Sequence, residues 1–317
     1  MSFISSQKAS EFSAYGATER QADLKPLTIA VGIATVGRPG LLRETLRELR
    51  KQIRRPDGVL VSYSADNDIA GLIADSDSAR YIRAPLGLTK QRNAILKVAE
   101  GFDIVVFFDD DFFPGPHYLA TIERAFQADE GYQIVTGMLL ADGIKGRGIA
   151  PSAARLLIDN DRGTSTPLRA TEVYNGYGCN LAVRLATLFE HRIFFDEELP
   201  LYGWLEDVDF SRRVARQGKI VRVDGARGVH LGVKAGRTSG VRLGYSQIAN
   251  PIYLIGRGTF SRTRALEQMM RNVVANVSRA LFPEPNIDRV GRLRGNLIAL
   301  SDLMQSRCHP NRISDLH

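Results

Sequence analysis

The sequence predicts an α/β fold in which helices flank a mostly parallel central sheet, with further helices at the C-terminal end. Short apolar runs alternate with stretches whose apolar residues recur at helical spacing, the pattern of a parallel sheet with helical crossovers. The run 104–108 is apolar throughout, which is typical of a strand buried on both faces. The 317 residues are 44% hydrophobic and 24% charged, an ordinary globular composition.

The alternation is clearest before residue 110. Strands are predicted at 27–35, 59–63, 81–83 and 104–108, and helices at 41–53 and 88–99. In sheets of this kind, ligands bind beyond the carboxyl ends of the strands. Thr35, the segment 62–68 and Asp109 are therefore expected on one rim.

The second half is less regular. Residues 141–171 are rich in Gly, Ser, Arg and Asp and predict a functional loop or a small insertion. Further elements are predicted as a helix at 205–217, a strand at 220–223 and helices at about 245–257, 262–281 and 286–305.

The sequence features that bear on location favour the cytoplasm. We find no apolar run approaching the roughly 20 residues of a membrane span and no apolar signal core near the N-terminus. Cys179 and Cys308, the two cysteines, are far apart and lack the spacing of a metal site, which fits a reducing compartment.

Positive charge is concentrated in the last third of the chain. Residues 219–317 contain 16 Lys and Arg against 6 Asp and Glu. Such a bias fits an anionic substrate, an anionic lipid surface or nucleic acid, and it equally fits a solvated Arg-rich surface. No recognised nucleic-acid motif occurs and aromatic residues do not interleave with the basic ones, so a nucleic-acid partner is not expected.

One C-terminal helix combines arginines with an apolar stripe. The stripe comprises Leu266, Met269, Met270, Val273, Val274, Val277 and Leu281, accompanied by Arg262, Arg264, Arg271 and Arg279. Because apolar stripes usually face cores, we expect this helix to pack on the domain before it or on a second subunit. Peripheral contact with an anionic membrane is the alternative.

Three consecutive carboxylates, Asp109, Asp110 and Asp111, directly follow the buried run 104–108. Their mutual repulsion costs free energy unless a cation is present, and Mg²⁺ is commonly bound by one or two carboxylates together with substrate phosphates. The strand context favours a metal–diphosphate site over a solvated acidic turn or a helix N-terminus.

A second acidic group begins the helix at 205–217. Glu206, Asp207 and Asp209 lie where a helix dipole favours carboxylates, which explains them without any catalytic role. Alternatively, Asp207 accepts a proton from a hydroxyl nucleophile while Trp204 stacks on a sugar.

The segment 228–242 supplies a histidine and three cations. His230 is either a structural residue or, if it faces the acidic cluster, a metal ligand. Lys234, Arg237 and Arg242, spaced by glycines, form a flexible surface loop or close over a diphosphate.

In order and spacing, these features resemble the GT-A fold glycosyltransferases, specifically the inverting family 2. The resemblance covers roughly residues 27–232 and rests on 31–39, 87–94 (G-L-x-x-x-R-N), 109–111 (D-x-D), 178–184, 203–207 (ending in E-D, with Arg212 or Arg213 following) and His230. We expect a GT-A catalytic domain at 26–244 and a helical extension at 245–317. Residues 1–25 are polar and aperiodic and are expected to be a mobile leader.

The resemblance also implies roles for individual residues. Nucleotide-sugar contacts fall on Thr35, Arg38, Asp66, Lys90, Arg92, Asp109, Asp110, Lys234 and Arg237. Asp109, Asp111 and His230 would hold Mn²⁺ or Mg²⁺, Asp207 would be the base, and Asn180, Trp204 and Glu206 would contact the sugar or the acceptor. Family members usually carry an Asp directly after the second strand; here the acids come later, and Asp66 is taken for the nucleobase.

The resulting hypothesis is an inverting transfer of a hexose from a nucleotide sugar, taken as a UDP-sugar, to a hydroxyl of a glycan or lipid-linked acceptor in exopolysaccharide or glycolipid synthesis. Work in the cytoplasm, at the inner face of the plasma membrane, would suit such an acceptor. Two alternatives stay open: a sugar-phosphate nucleotidyltransferase, for which 37–40 is a thin phosphate loop, and a non-catalytic basic binding protein.

Overall fold

The computed structural model describes residues 25–72, 79–163, 168–233, 239–282, 284 and 287–316. All of the leader predicted at 1–25 except Lys25 lies outside these residues. The strands are β1 (Ile29–Ala34), β2 (Gly58–Tyr63), β3 (Ala79–Arg83), β4 (Ile104–Asp109), β5 (Phe112–Pro114), β6 (Tyr132–Asp142), β7 (Ala170–Glu172), β8 (Asn180–Arg184) and β9 (Lys219–His230). The α-helices are α1 (Pro39–Leu49), α2 (Leu88–Val98), α3 (Tyr118–Ala128), α4 (Pro151–Asp159), α5 (Leu185–Glu190), α6 (Glu206–Val214), α7 (Gly240–Gly256), α8 (Arg262–Ala280) and α9 (Arg289–Met304).

The strands of the described residues form one sheet in the order β3-β2-β1-β4-β8-β6-β9-β5, with β7 also paired to β9. The first four neighbours, β3 to β4, are parallel, as is the pair β6–β9, and antiparallel pairs join them from β8 onward. The predicted α/β architecture with a central, mostly parallel sheet is confirmed.

β4 shows how the sheet separates two apolar layers. Its side chains alternate, so that Phe108 packs with α1 and α3 on one face while Phe107 packs with α2, α5 and α6 on the other. Both phenylalanines are about 1% exposed. A strand covered on both faces in this way needs the unbroken apolar sequence from which it was predicted.

The predictions before residue 110 agree with the structure to within a few residues, whereas later ones differ more. β9 runs for 12 residues although only 220–223 were predicted. Its second half, 224–228, contains two glycines and two charged residues, and Gly228 lies so close to β5 that a Cβ would be 2.4 Å from the Phe112 ring. The close approach of two backbones therefore requires glycine here, and the glycines interrupt the apolar pattern from which a strand is predicted.

The C-terminal helices α7, α8 and α9 pack against one another. The amide of Asn276 in α8 donates to Gln247 Oε1 in α7 and to Asn296 Oδ1 in α9, both at 2.8 Å. Asn296 in turn donates to the Gly244 carbonyl at 2.7 Å. This buried network holds the three helices together through polar contacts.

The apolar stripe of α8 does not face the core as expected. Met269 is buried and Val273 is partly buried, but the other stripe residues are 51% to 81% exposed: Leu266, Met270, Val274, Val277 and Leu281. The buried face is instead formed by Ala265, Met269 and Asn276, because α7 and α9 cover only that side. Within the described residues, no helix combines the length and the apolar character needed to cross a membrane.

Candidate active site

The acidic cluster lies at the carboxyl end of β4, beside the end of β1. Ala34 and Asp109 are register partners, so the rim expected from the parallel strands is formed. Three residues beyond Asp109 the chain enters β5, whose Phe112 pairs with His230 at the end of β9. This antiparallel pairing explains why Asp111 and the distant His230 are neighbours.

Asp109, Asp111 and His230 form a set of three converging ligand atoms. One atom from each lies within 4.8 Å of the others. His230 Nε2 is 3.4 Å from Asp111 Oδ1 and 3.9 Å from Asp109 Oδ2. Two carboxylate oxygens and one imidazole nitrogen are a donor set that divalent cations accept, so these residues fit a metal site.

A third carboxylate, Asp142, orients the imidazole. β6 and β9 run in parallel with Asp142 beside His230, and Asp142 Oδ1 is 2.9 Å from His230 Nδ1. The other oxygen of Asp142 accepts from the Tyr177 hydroxyl at 3.0 Å. A carboxylate behind a ligand histidine fixes its ring and strengthens it as a ligand.

The charge around His230 shows what the cluster requires. Burial lowers the pKa of His230, but the Asp111 and Asp142 carboxylates outweigh burial and raise it to about 10. Burial likewise opposes ionisation of Asp111, and the hydrogen bond and charge of His230 bring its pKa below the ordinary value. The carboxylates thus stabilise a positive charge among them, and a bound cation would satisfy the same demand.

Asp110 points away from the metal ligands. Its fully buried carboxylate accepts from Thr35 Oγ1 at 2.7 Å and from Arg38 Nε at 3.2 Å, and Arg38 Nη2 forms an ion pair with Oδ1 at 2.5 Å. Burial raises the pKa of Asp110 to about 7 although Arg38 opposes this. Asp110 therefore fastens the turn after β1 to the end of β4.

Asp207 lies at the start of α6 with its carboxylate turned toward residue 178. Oδ2 accepts from the Gly178 amide at 3.1 Å, and Oδ1 accepts from the following Val208 amide at 2.8 Å. The chain reaches this helix through Gly203 (φ 63°) and Leu205 (φ 74°), both in the left-handed region. Burial raises the pKa of Asp207 above its ordinary value, and the two amides oppose this.

Arg92 connects the two acidic groups. Its buried guanidinium donates to Glu206 Oε1 at 2.5 Å, to Asp109 Oδ1 at 3.1 Å and to the Gly178 carbonyl at 2.7 Å. Burial, followed by the charge of Asp207, raises the pKa of Glu206, and the Arg92 charge opposes the rise. One cation therefore links β4, α6 and the 178 segment.

A cleft opens on the rim beside these residues, and we call it the rim cleft. It is bounded by the turn after β1, the start of α2 and the start of α7. Its lining comprises Ala34, Thr35, Val36, Arg38, Gly87, Leu88, Gln91, Asp109, Asp110, Leu201, Tyr202, Ser239 and Arg242. The lining thus includes two cations, Arg38 and Arg242, and two carboxylates, Asp109 and Asp110.

Residues 30–183 match the family Glycosyl transferase family 2. The chain is a glycosyltransferase that contains a family 2 domain. The matched segment contains the acidic cluster of β4, whereas Asp207 and His230 lie beyond it. No curated protein sequence matches this glycosyltransferase significantly.

Solved structures share the fold of the glycosyltransferase. TarS residues 1–349 from S. aureus, in complex with UDP-GlcNAc, align with a TM-score of 0.55 and 18% identity over 92% of this chain and 84% of TarS. The mannosyltransferase PcManGT from Pyrobaculum calidifontis, with GDP-Man and Mn²⁺, aligns with a TM-score of 0.52 and 16% identity over 92% and 87%. GalNAc-T7 with UDP, GalNAc and Mn²⁺ aligns with a TM-score of 0.52 and 15% identity over 72% of this chain and 51% of GalNAc-T7. These likenesses show the fold, and the predicted GT-A fold is confirmed.

The structure of the glycosyltransferase brings most of the predicted site residues to one rim. Thr35, Arg38, Asp109 and Asp110 line the rim cleft. Arg92 and Glu206 are buried against each other behind it rather than exposed within it. Arg92, expected to contact the nucleotide, is 2% exposed and instead positions Asp109 and the neighbourhood of Asp207.

Two residues predicted to contact the sugar or acceptor have inward-facing roles. Asn180 is fully buried, and its Oδ1 accepts from Thr136 Oγ1 at 2.5 Å and from the Gly137 amide at 3.2 Å. Trp204 is partly buried in a small apolar cluster, and its carbonyl accepts from Asn250 of α7 at 2.7 Å. Asn180 supports β6, and Trp204 fixes α7 against the start of α6.

The remaining predicted residues either lie at the margin of the site or are not among the residues that the structure describes. The side chain of Asp66 is 80% exposed beside Arg83 and does not line the rim cleft, and Lys90 lies partly exposed in the first turn of α2. Lys234 and Arg237 fall outside the described residues. Asp68, not Asp66, is the buried acid after β2, and it accepts from the Gly37 amide at 2.7 Å.

Sequence reasoning missed several residues of the glycosyltransferase site. Asp142 and Tyr177 support His230, and the Gln91 amide donates to the carbonyls of Thr35 and Ser62, at 2.9 and 3.0 Å. Tyr202 borders the rim cleft and is half exposed. Gln91 lies within the segment 87–94 that carried the resemblance, whereas nothing in the sequence pairs Asp142 with His230, because that contact depends on the register of β6 and β9.

Proposed function

We propose that this glycosyltransferase transfers a hexose from a UDP-sugar to a hydroxyl of a glycan or lipid-linked acceptor, with inversion at the anomeric carbon. The observation that carries the proposal is the placement of one carboxylate base, Asp207, across Arg92 from the Asp109, Asp111 and His230 set. TarS and PcManGT, which share the fold, were solved with UDP-GlcNAc and with GDP-Man and Mn²⁺, which supports a nucleotide-sugar donor and a divalent cation.

The reaction requires a base, a leaving group and charge compensation. Asp207 takes the proton of the acceptor hydroxyl, and the hydroxyl oxygen bonds to the anomeric carbon as the bond from that carbon to the diphosphate oxygen breaks. The Gly178 amide holds the Asp207 carboxylate in place during this step. A single displacement at the carbon inverts its configuration.

The rim cleft supports donor binding by charge. Arg38 and Arg242 line it from two elements, and guanidinium groups suit phosphate oxygens. Mn²⁺ or Mg²⁺ held by Asp109, Asp111 and His230 would neutralise charge that develops on the leaving diphosphate. Asp142 keeps His230 oriented for that role.

The setting of the reaction is inferred from the cysteines and from the class of acceptor. We place the enzyme in the cytoplasm because Cys179 and Cys308 are free thiols. Synthesis of an exopolysaccharide or a glycolipid is the pathway class that such an acceptor suggests. The two rival functions, nucleotidyl transfer and non-catalytic binding, are set aside by the family assignment.

Donor hydrolysis tests the proposal directly. Wild type is incubated with UDP-glucose, UDP-galactose, UDP-GlcNAc and GDP-mannose, with and without Mn²⁺ or Mg²⁺, and release of the nucleoside diphosphate is measured. We expect slow, metal-dependent release from one UDP-sugar, lost in Asp111→Ala and retained in Asp159→Asn, which changes an exposed acid on α4. Release from GDP-mannose alone would overturn the UDP assignment, and no release or binding of any donor would overturn the function.

A further inference from the structure

The outward face of α8 carries a continuous apolar row that no part of the described chain covers. Leu266, Met270, Val274 and Val277 follow one another at intervals of three or four residues and are 51% to 61% exposed. Leu281 and Phe282 continue the row at the end of the helix and are 81% and 76% exposed. Exposed rows of this length mark interaction surfaces in folded proteins.

The same helix is strongly basic. Between residues 262 and 280 it carries four arginines against one acid, Glu267. Arg279 is paired with Glu284 at 3.0 Å, whereas Arg262 and Arg271 form no ion pair with any carboxylate in the described part of the chain. At 100° per residue, Arg271 lies about a quarter turn from the apolar row.

We propose that the outward face of α8 binds an anionic membrane surface. An apolar row flanked by arginines matches a lipid interface, where apolar side chains enter the acyl boundary and guanidinium groups meet anionic headgroups. A second copy of the chain fits this face less well, because pairing would bring two net positive helices together. The partner must therefore have a negatively charged surface with an apolar layer beneath it, and an anionic bilayer has both.

The docking face is linked to the active site by one aromatic ring. The Tyr174 ring lies between the guanidinium groups of Arg264 in α8 and Arg212 in α6, each 4.5 Å from its centre. The Tyr174 hydroxyl also accepts from the Ser261 amide at 3.0 Å. Through Tyr174, the start of α8 is therefore joined to α6, the helix that carries Asp207.

Vesicle flotation of the full chain, without donor or acceptor, tests the docking. Vesicles contain phosphatidylcholine alone or with one third phosphatidylglycerol. We expect flotation with the anionic vesicles at about 0.1 M salt, little with phosphatidylcholine alone, and a loss as salt rises toward about 1 M and screens the charges. No flotation with anionic vesicles at low salt would overturn the proposal.

Matched variants locate the surface. Met270→Ser/Val274→Ser should weaken the vesicle partition coefficient about tenfold or more, because two apolar side chains no longer enter the interface. Its control is Ile53→Ser, at a residue 64% exposed elsewhere on the chain. Arg262→Gln/Arg271→Gln should lower the vesicle partition coefficient about fivefold for each arginine. Its control, Arg80→Gln/Arg124→Gln, removes the same charge elsewhere on the chain and should have a smaller effect.

Donor hydrolysis and light scattering separate the competing explanations. Each variant should hydrolyse the donor as wild type does, so failure of docking and failure of the proposed function are read independently. Equal flotation by the α8 variants and their controls would overturn the proposal. A wild-type dimer that Met270→Ser/Val274→Ser converts to monomer, with vesicle binding unchanged, would assign the face to a second copy instead.

Discussion

Arg92 occupies the point where the two acidic groups of the site meet. It is buried with hydrogen bonds to Asp109, Glu206 and the carbonyl of Gly178. A buried guanidinium is retained only when its donors are satisfied, and here they are satisfied by the groups whose positions the reaction needs. Arg92 is thus a positioning residue, and the distance from the metal set to Asp207 depends on it.

Replacement of the base is the first prediction at the residue scale. Asp207→Asn keeps an oxygen that can accept from Gly178 or Val208, so the fold should be retained while the proton acceptor is lost. We expect kcat to fall by about 10² to 10⁴ with donor binding nearly unchanged. Turnover kinetics and calorimetry with UDP measure the two effects, with Asp159→Asn as control. Turnover near that of wild type would remove Asp207 from the mechanism.

The acid limb of the pH profile is the second prediction. The pKa of Asp207 lies above its ordinary value, chiefly because of burial. A base works only when deprotonated, so activity should be lost as pH falls through this raised pKa, above the ordinary carboxylate value of about 4. The measurement is kcat against pH at saturating donor, with tryptophan fluorescence as a check on folding. An acid limb centred below pH 4 would contradict the assignment.

At the scale of elements, α7 and α9 approach closely because glycines lie at their contact. A Cβ added to Gly295 in α9 would be 2.1 Å from the Val241 carbonyl oxygen, and one added to Gly244 would be 2.0 Å from that of Arg292. Both neighbours are backbone atoms, which move only if a helix moves. The glycines therefore set the spacing on which the Asn276 network depends.

The third prediction concerns this contact. Gly295→Ala should lower the free energy of unfolding by about 1–3 kcal/mol, because the added methyl group forces the helices apart. Gly256→Ala, at the end of α7 with nothing within 4 Å of its Cβ, should instead raise it by about 0.5–1 kcal/mol through helix propensity. Urea unfolding measures both, and equal effects of the two substitutions would show that the contact is not tight.

How much could be predicted from the sequence also depends on the element. The strands before residue 110 were predicted well, because each is an apolar run whose burial on both faces leaves a plain signal. Asp109 and Asp111 follow from their place at a strand end. The second half of β9 was not predicted, because glycines replace side chains where backbones meet. The support of His230 by Asp142 was not predicted either, because the register between β6 and β9 is a tertiary property. The exposure of α8 shows that an apolar stripe in a sequence indicates a contact surface but does not identify what the surface contacts.

At the scale of the whole molecule, the site joins segments that are far apart along the chain. The three candidate metal ligands, Asp109, Asp111 and His230, lie at the ends of β4 and β9. The rim cleft is lined by residues at the end of β1 and the starts of α2 and α7. A ligand that bridges these elements binds the folded chain and not the unfolded one. Binding of a cation and a nucleotide should therefore stabilise the entire fold.

Ligand-dependent stability is the fourth prediction. Mn²⁺ and UDP together, each at about a hundred times its Kd, should raise Tm by about 8 °C, since each ligand contributes about 2.7 kcal/mol. EDTA should reverse the shift, and Asp111→Asn should abolish the Mn²⁺-dependent part. Scanning fluorimetry measures the shift. An equal shift from UDP in EDTA would show that nucleotide binding does not use the metal set.

The pairing of β5 with β9 has a consequence for biosynthesis. Asp111 and His230 meet only through this contact, although they are far apart along the chain. During translation, β1 to β4 can assemble on the ribosome while the imidazole has yet to be synthesised. The nascent chain then carries the acidic cluster without the histidine, and the proposed metal site is complete only after residue 230 has left the exit tunnel and β9 has entered the sheet.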